Sequence, residues 1–278
     1  MNTVMEKARQ LVEKVGELPP IPGVILESMT LLNDPSVTVK RIQEQILLDQ
    51  ALTAFILKVA NSALYGLRRE VSTITYAINL MGYNTTKSIL LAYLTKNLYR
   101  TKGSKMIQNA LWKHAIASAV YGKKIAELHR NVNVEEAFIA ALLHDIGKSV
   151  LLKNRTEEFE EIVTEEFNAD VVSVSVEMKK LEYSHVEVGY ILMSKWRFAE
   201  NIIESLIYHH NIQEYYGENP MVPIVSLANK LSHINGFAFR AGNRDLFECQ
   251  ILNLSKQKIE EVMQQGKDEI DILLEVIG

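Results

Sequence analysis

The sequence predicts an almost wholly helical protein, and three features lead there. Apolar residues recur at spacings of three and four through most of the chain, helix starts and stops punctuate them, and no internal repeat or Gly-rich phosphate loop breaks the pattern. With 278 residues and 47% hydrophobic content, the chain can bury a sizeable core as one large domain or two joined ones, which excludes a disordered protein. A formal net charge of -4 leaves no basic excess to track phosphates, so no DNA partner is expected. The lone Cys249 excludes an internal disulfide and a C-x-x-C site, and reads as an ordinary buried or half-buried thiol.

Residues 1–10 are polar and amphipathic, without the apolar region of a secretory leader. No apolar run approaches the roughly 20 residues needed to cross a bilayer. A cytoplasmic location without membrane association is the expectation.

The elements follow in order. Leu18-Pro19-Pro20-Ile21-Pro22-Gly23 cannot lie inside a helix, because its prolines remove donors and fix φ, so it is an entry loop after a short leader helix. After Asn33-Asp34-Pro35, Thr38 suits the N-cap of a helix over about 39–48, and Asp49 can cap the next. That next helix carries Leu52, Phe55, Ile56, Val59 and Ala60 as one core stripe. Helices are predicted over Ser72 to Met81, stopped by Gly82, and over Thr85 to Tyr99, stopped near Gly103 where the composition turns polar. A long helix from about Met106 to His129 turns Ile107, Leu111, His114, Ala115, Ser118 and Ile125 inward.

Asn133 with Glu136 forms an N-x-x-E variant of the capping box, opening a helix that runs through Ala137, Ala140, Ala141 and Leu143 to His144-Asp145, after which Gly147 should bend the chain. Val171 to Val176 alternates like a strand but has no partner strand, so helix is preferred there. The charge run Glu157 to Glu166 reads as the solvated face of a helix. From Ser184 to Asn235 the pattern is helical, interrupted near Arg197-Phe198 and at Gly217 to Pro223, and a last amphipathic helix spans about Ser255 to Val276.

Five of the seven histidines, His114, His144, His185, His209 and His210, fall on inward-facing or element-terminal segments. A lone histidine on an apolar face is usually a core residue bonded to a carbonyl. Clustering changes that balance, because His144-Asp145 and His209-His210 each place two donor groups about 100° apart, able to line a cavity wall. Nitrogen and carboxylate donors without thiolates suit Fe, Mn or Zn, as one or two ions. Two such cations about 3.5–4 Å apart could activate a water for attack on phosphorus and stabilise the leaving oxygen. Lys148, a turn past His144, would then offer charge to a phosphate oxygen, and reads equally well as a surface lysine favoured by a helix C-terminus. Ser62, Ser118 and Ser149 lack the elbow of a serine hydrolase, and Tyr208, Tyr215 and Tyr216 read as packing.

These residues sit in a longer series of motifs. Leu18 to Pro22, Leu48-Asp49-Gln50-Ala51-Leu52, Val59-Ala60-Asn61-Ser62-Ala63-Leu64-Tyr65-Gly66 and Val71-Ser72-Thr73-Ile74 with Ala77 to Gly82 carry the first half. Ala141 to Lys148, Glu177, His185-Val186-Glu187-Val188-Gly189, Trp196 and Ile207-Tyr208-His209-His210 carry the second. Over about residues 18–230 the chain resembles the HDOD family of bacterial signalling domains, relatives of the HD phosphohydrolases.

The resemblance implies an all-α fold in which an N-terminal helical bundle packs against an HD-type helical bundle, divided at 1–103 and 104–236 with a C-terminal extension over 237–278. It implies a regulatory module, since most such domains have lost the metal ligands. This chain keeps matching positions at His114, His144, Asp145, Lys148, His185, His209 and His210. It departs at the last ligand position, where Asn229 stands for an aspartate, and Asn211 to Gly217 replaces a Gly-Tyr-Pro signature. Asn229 is a neutral and weaker ligand, and the loss of a carboxylate should cost metal affinity. The leading expectation is a non-catalytic module that retains a metal site and meets a signalling protein or a nucleotide. The runner-up is a metal-dependent phosphohydrolase or phosphodiesterase for a nucleotide or cyclic dinucleotide, with Asp145 and Lys148 as its catalytic residues.

Overall fold

The computed structural model describes residues 2–14, 43, 46–47, 49–67, 69–99, 103–169, 173–239 and 246–277, and among them every regular element is a helix. The Pro-rich entry loop and most of the helix expected over 39–48 with its Thr38 cap lie outside these residues. The chain groups into two compact units, Met1–Leu18 with Leu98–Lys267, and Pro19–Asn97 with Asp268–Gly278.

The second of these units contains α2 (Gln50–Ala60) and α3 (Ile74–Met81). Asp49 caps α2 by accepting from the Leu52 amide at 3.1 Å, and the predicted stripe of Leu52, Phe55, Ile56, Val59 and Ala60 is buried. Asn61 clamps the connection, taking the Val71 amide at 2.7 Å and donating to its carbonyl at 2.9 Å. The next helix starts later than Ser72, because Thr73 stays extended and accepts from the Tyr76 amide; Gly82, at φ +80°, ends it. α4 follows over Tyr83–Tyr99.

The larger unit is organised around α5 (Lys105–Ala126), which packs on α6 (Val134–Leu143) and α12 (Met221–Ile234). Small residues set the α5–α6 distance: a Cβ on Gly122 would stand 2.8 Å from that of Ala141. Ser118 and Ser232 meet at 3.0 Å across the α5–α12 contact. The leader helix α1 (Asn2–Lys14) buries Ala8, Leu11 and Val12 and packs on α10 (His185–Lys195), so it belongs with this unit.

Several local expectations change. Asn133 accepts from the amides of Glu135 and Glu136, and Glu136 accepts from Asn133 Nδ2 at 3.5 Å through one oxygen and from Asn201 Nδ2 at 2.8 Å through the other, so it also serves a tertiary contact with α11 (Glu200–Tyr208). Gly147 is not the bend. The chain breaks at His144-Asp145, and Gly147 lies inside α7 (Ile146–Asn154), where a Cβ would stand 2.0 Å from the His185 carbonyl oxygen. On α8 (Thr156–Ala169), Phe159, Ile162 and Val163 are buried and Glu166 is buried with them, so the charge run is not wholly a solvated face. The alternating segment is helical from Ser173 onward as α9 (Ser173–Leu181). A short α13 (Phe247–Ile251) was not anticipated; buried Glu248 holds it to α12 by accepting from Ser226 at 2.6 Å and Lys230 at 2.9 Å. The last helix, α14, spans Lys256–Ile277.

Candidate metal centre

Four helix termini bring the donor groups together. His144 and Asp145 form the break between α6 and α7, His185 opens α10, His209 and His210 follow α11, and His114 projects from the middle of α5. The α10 start is locked by a full capping box, with Ser184 and Glu187 bonding reciprocally. That lock fixes the backbone of His185.

Each of four imidazoles is anchored through Nδ1. His144 Nδ1 bonds the Ala141 carbonyl at 2.7 Å, His209 Nδ1 that of Leu206 at 2.6 Å and His114 Nδ1 that of Phe237 at 3.1 Å. His185 Nδ1 bonds Glu177 Oε2 at 2.6 Å. A carbonyl can only accept, so in His114, His144 and His209 the Nδ1 carries the proton and Nε2 presents its lone pair. The Nε2 atoms converge on Asp145. Its Oδ2 lies 3.5 Å from Nε2 of both His114 and His144, while its Oδ1 lies 3.1 Å from Nε2 of His185 and 3.5 Å from that of His209. His210 Nε2 joins the second group, 3.2 Å from His185 Nε2. Two groups of possible ligand atoms result, Asp145 with His185, His209 and His210, and Asp145 with His114 and His144, each within 4.8 Å.

This donor set fits a cation better than it fits a closed hydrogen-bond network. Nε2 of His114 and of His144 face each other at 3.3 Å. With both protons on Nδ1, two lone pairs oppose one another unless a positive charge stands near. His209 Nε2, Glu177 Oε1 and Asn229 Oδ1 are buried without a hydrogen-bond partner. Buried polar atoms are rarely left so, because each forfeits its hydration.

Protonation follows from burial. Desolvation pushes His114, His209 and His210 below the usual histidine range and takes His144 down to about 3, keeping them in the neutral form that ligates metal. His185 is the exception. Burial would lower it too, but the Glu177 carboxylate and then Asp145 more than compensate, raising it to about 9. Burial opposes the charge of Asp145, yet Lys148 first, then His144 and His185, hold its carboxyl well below the ordinary carboxylate range.

Lys148 is not a surface lysine. It is 6% exposed, and its Nζ donates to Asp145 Oδ2 at 2.8 Å. Asn229 lies buried on α12, one turn before His233 on the same face. Sequence reasoning quoted Glu177 only as a motif residue without a role, and missed a second participant altogether. Glu177 orients His185, and eight residues of separation across a turn gave no sign of that role. His233 places its ring 5.0 Å from that of His114, and only its spacing of four from Asn229 could have drawn attention to it.

A family model for the HDOD domain matches residues 18–212. The chain belongs to the HDOD domain family. Among solved structures, this HDOD domain is similar to an HDOD domain protein of unknown function from Geobacter sulfurreducens, with a TM-score of 0.85 and 25% identity over 99% of this chain and 97% of that one. It shares its fold with a candidate metal-dependent phosphohydrolase from Shewanella amazonensis SB2B, with a TM-score of 0.68 and 17% identity over 100% of this chain and 98% of that one. An uncharacterised protein of Treponema pallidum (strain Nichols) is 22% identical over 80% of this chain, which spans 43% of that protein's length. No helix among the described residues is long and apolar enough to cross a membrane.

Proposed function

We propose that this HDOD domain is a non-catalytic regulatory module that keeps an HD-like metal centre as a structural element, its signalling counterpart being a protein or a nucleotide. The observation that carries this reading is the burial of the centre: His144 and His185 are wholly buried, and Asp145 is 2% exposed with one carboxylate oxygen already taken by Lys148. Turnover requires a substrate phosphate to reach the donors, and a carboxylate engaged by an ammonium is a poorer ligand and base.

His114, His144, Asp145, His185, His209 and His210 would hold one or two divalent transition ions, Fe, Mn or Zn. Such an ion, when bound, supplies Lewis acidity and water activation. The chain's own residues aim four of the imidazoles through Nδ1, keep all but His185 neutral and exclude bulk water. With an amide at Asn229, the set carries less negative charge to offset two dications.

A second reading, a metal-dependent phosphohydrolase, draws on Lys148. A buried ammonium beside the ligand carboxylate would offer its charge to a phosphate oxygen bound at the centre.

Elemental analysis of protein purified without chelator, followed by phosphodiesterase and phosphomonoesterase assays with added Mn or Fe, separates the two. Bound metal without turnover is the expected result. Metal-dependent turnover that disappears in Asp145→Ala would establish the phosphohydrolase instead, and metal content below about a tenth of an equivalent would remove the metal centre altogether.

A further inference from the structure

The metal-centre reading uses five histidines, yet the array of rings continues past them. His144 and His209 have ring centroids 4.8 Å apart, His114 and His144 5.2 Å, and His185 and His210 5.2 Å. His114 and His233 fall within the same series, at 5.0 Å and 61°. A cation about 2.0–2.1 Å from an imidazole nitrogen sits roughly 3.2 Å from the ring centre, so two imidazoles bound at a tetrahedral angle have centroids roughly 5 Å apart. The His114–His233 spacing is therefore that of a pair able to share an ion.

We propose that His233 is a further imidazole ligand of the centre, supplying from α12 the donor that the Asn229 amide supplies poorly. This rests on the metal-centre reading. Residues 229 and 233 are one turn apart and share a helical face, which packs on α5, the helix that carries His114. Asn229 Oδ1 is left buried and unpaired on that face, so this side of the centre lacks a strong donor. A neutral imidazole one turn along replaces a ligand atom but not its negative charge, which suits an ion whose charge Asp145 already offsets. His233 stands outside the two donor groups that are compact within 4.8 Å, and it is only half-buried. Ligation would turn its ring about the side-chain torsions and give the centre a donor on the side nearer solvent.

The test is titration of metal-free protein with Mn and with Zn, read by calorimetry and by elemental analysis after gel filtration. In His233→Ala, the most weakly held equivalent should bind at least about tenfold more weakly or be lost. Asn229→Asp introduced into that variant should restore it, because a carboxylate returns to the neighbouring position on the same face. Metal-free His233→Ala should melt close to the wild type, since the residue is half-buried. If His233→Ala keeps the wild-type stoichiometry and affinity within about twofold, His233 is not a ligand, and the centre stands without it. If the wild type takes up no metal, the metal-centre reading fails first and this one with it.

Discussion

Glu177 shows how much of the centre is decided outside its ligands. It accepts from both the backbone amide and Nδ1 of His185, at 2.8 and 2.6 Å, and both side chains are fully buried. The contact aims the ring, makes it more basic and holds its charge. In Glu177→Gln, His185 loses the carboxylate that raises it and sheds its proton, which limits the stability loss to that of a buried hydrogen bond, about 1–3 kcal/mol. Metal affinity should fall about 10- to 100-fold, because the imidazole is no longer oriented. Denaturant unfolding of metal-free protein measures the first and metal titration the second. An affinity equal to that of the wild type would mean that Glu177 does not position His185.

Among the elements, the crossing of α7 and α10 does most to assemble the centre. These helices begin with Asp145 and His185, and Gly147 and Gly189 let their backbones approach closely enough to bring those side chains to 3.1 Å. A Cβ on Gly147 would meet three backbone atoms, the His185 carbonyl oxygen at 2.0 Å and carbon at 2.8 Å and the Gly189 nitrogen at 2.9 Å, none of which can move alone. Gly147→Ala should therefore cost about 3 kcal/mol or more and separate Asp145 from His185, weakening metal uptake. Gly189→Ala meets the flexible end of Leu206 at 2.9 Å and should cost less, roughly 1–3 kcal/mol. Thermal unfolding of the two variants ranks them, and equal losses would contradict this account of the crossing.

For the whole molecule, the buried titratable groups set a pH profile. In metal-free protein, His185 has a folded pKa of about 9, above its unfolded value, so its contribution is complete below about 6.5 and is lost as pH rises through 9. His144 is displaced the other way, to about 3, so its contribution is present above about 6.5 and disappears as pH falls toward 3. His114, His209 and His210 share that direction. The melting temperature of metal-free protein should peak near neutrality and fall on both sides. Metal replaces those protons: at a hundredfold excess over Kd it should add about 2.7 kcal/mol, reversed by chelator. A flat profile between pH 5 and 9, measured by calorimetry, would mean that these histidines are not held as described.

The sequence by itself determined the helical character, the stripe from Leu52 to Ala60, the Asp49 cap and the histidines worth watching, because amphipathic spacing, caps and residue type are local properties. Its resemblance to the HDOD family reached further, since ordered motifs carry fold information that periodicity lacks. What only the tertiary structure decided was where the donors point. Gly147 looked like a bend and proved to be a close crossing, Lys148 looked equally suited to solvent and is buried on Asp145, Glu177 stood among the motifs without a role, and His233 had no local signature. Each of those outcomes depends on how helices pack and bury their ends, which no local pattern encodes, and that burial keeps all the imidazoles but His185 neutral.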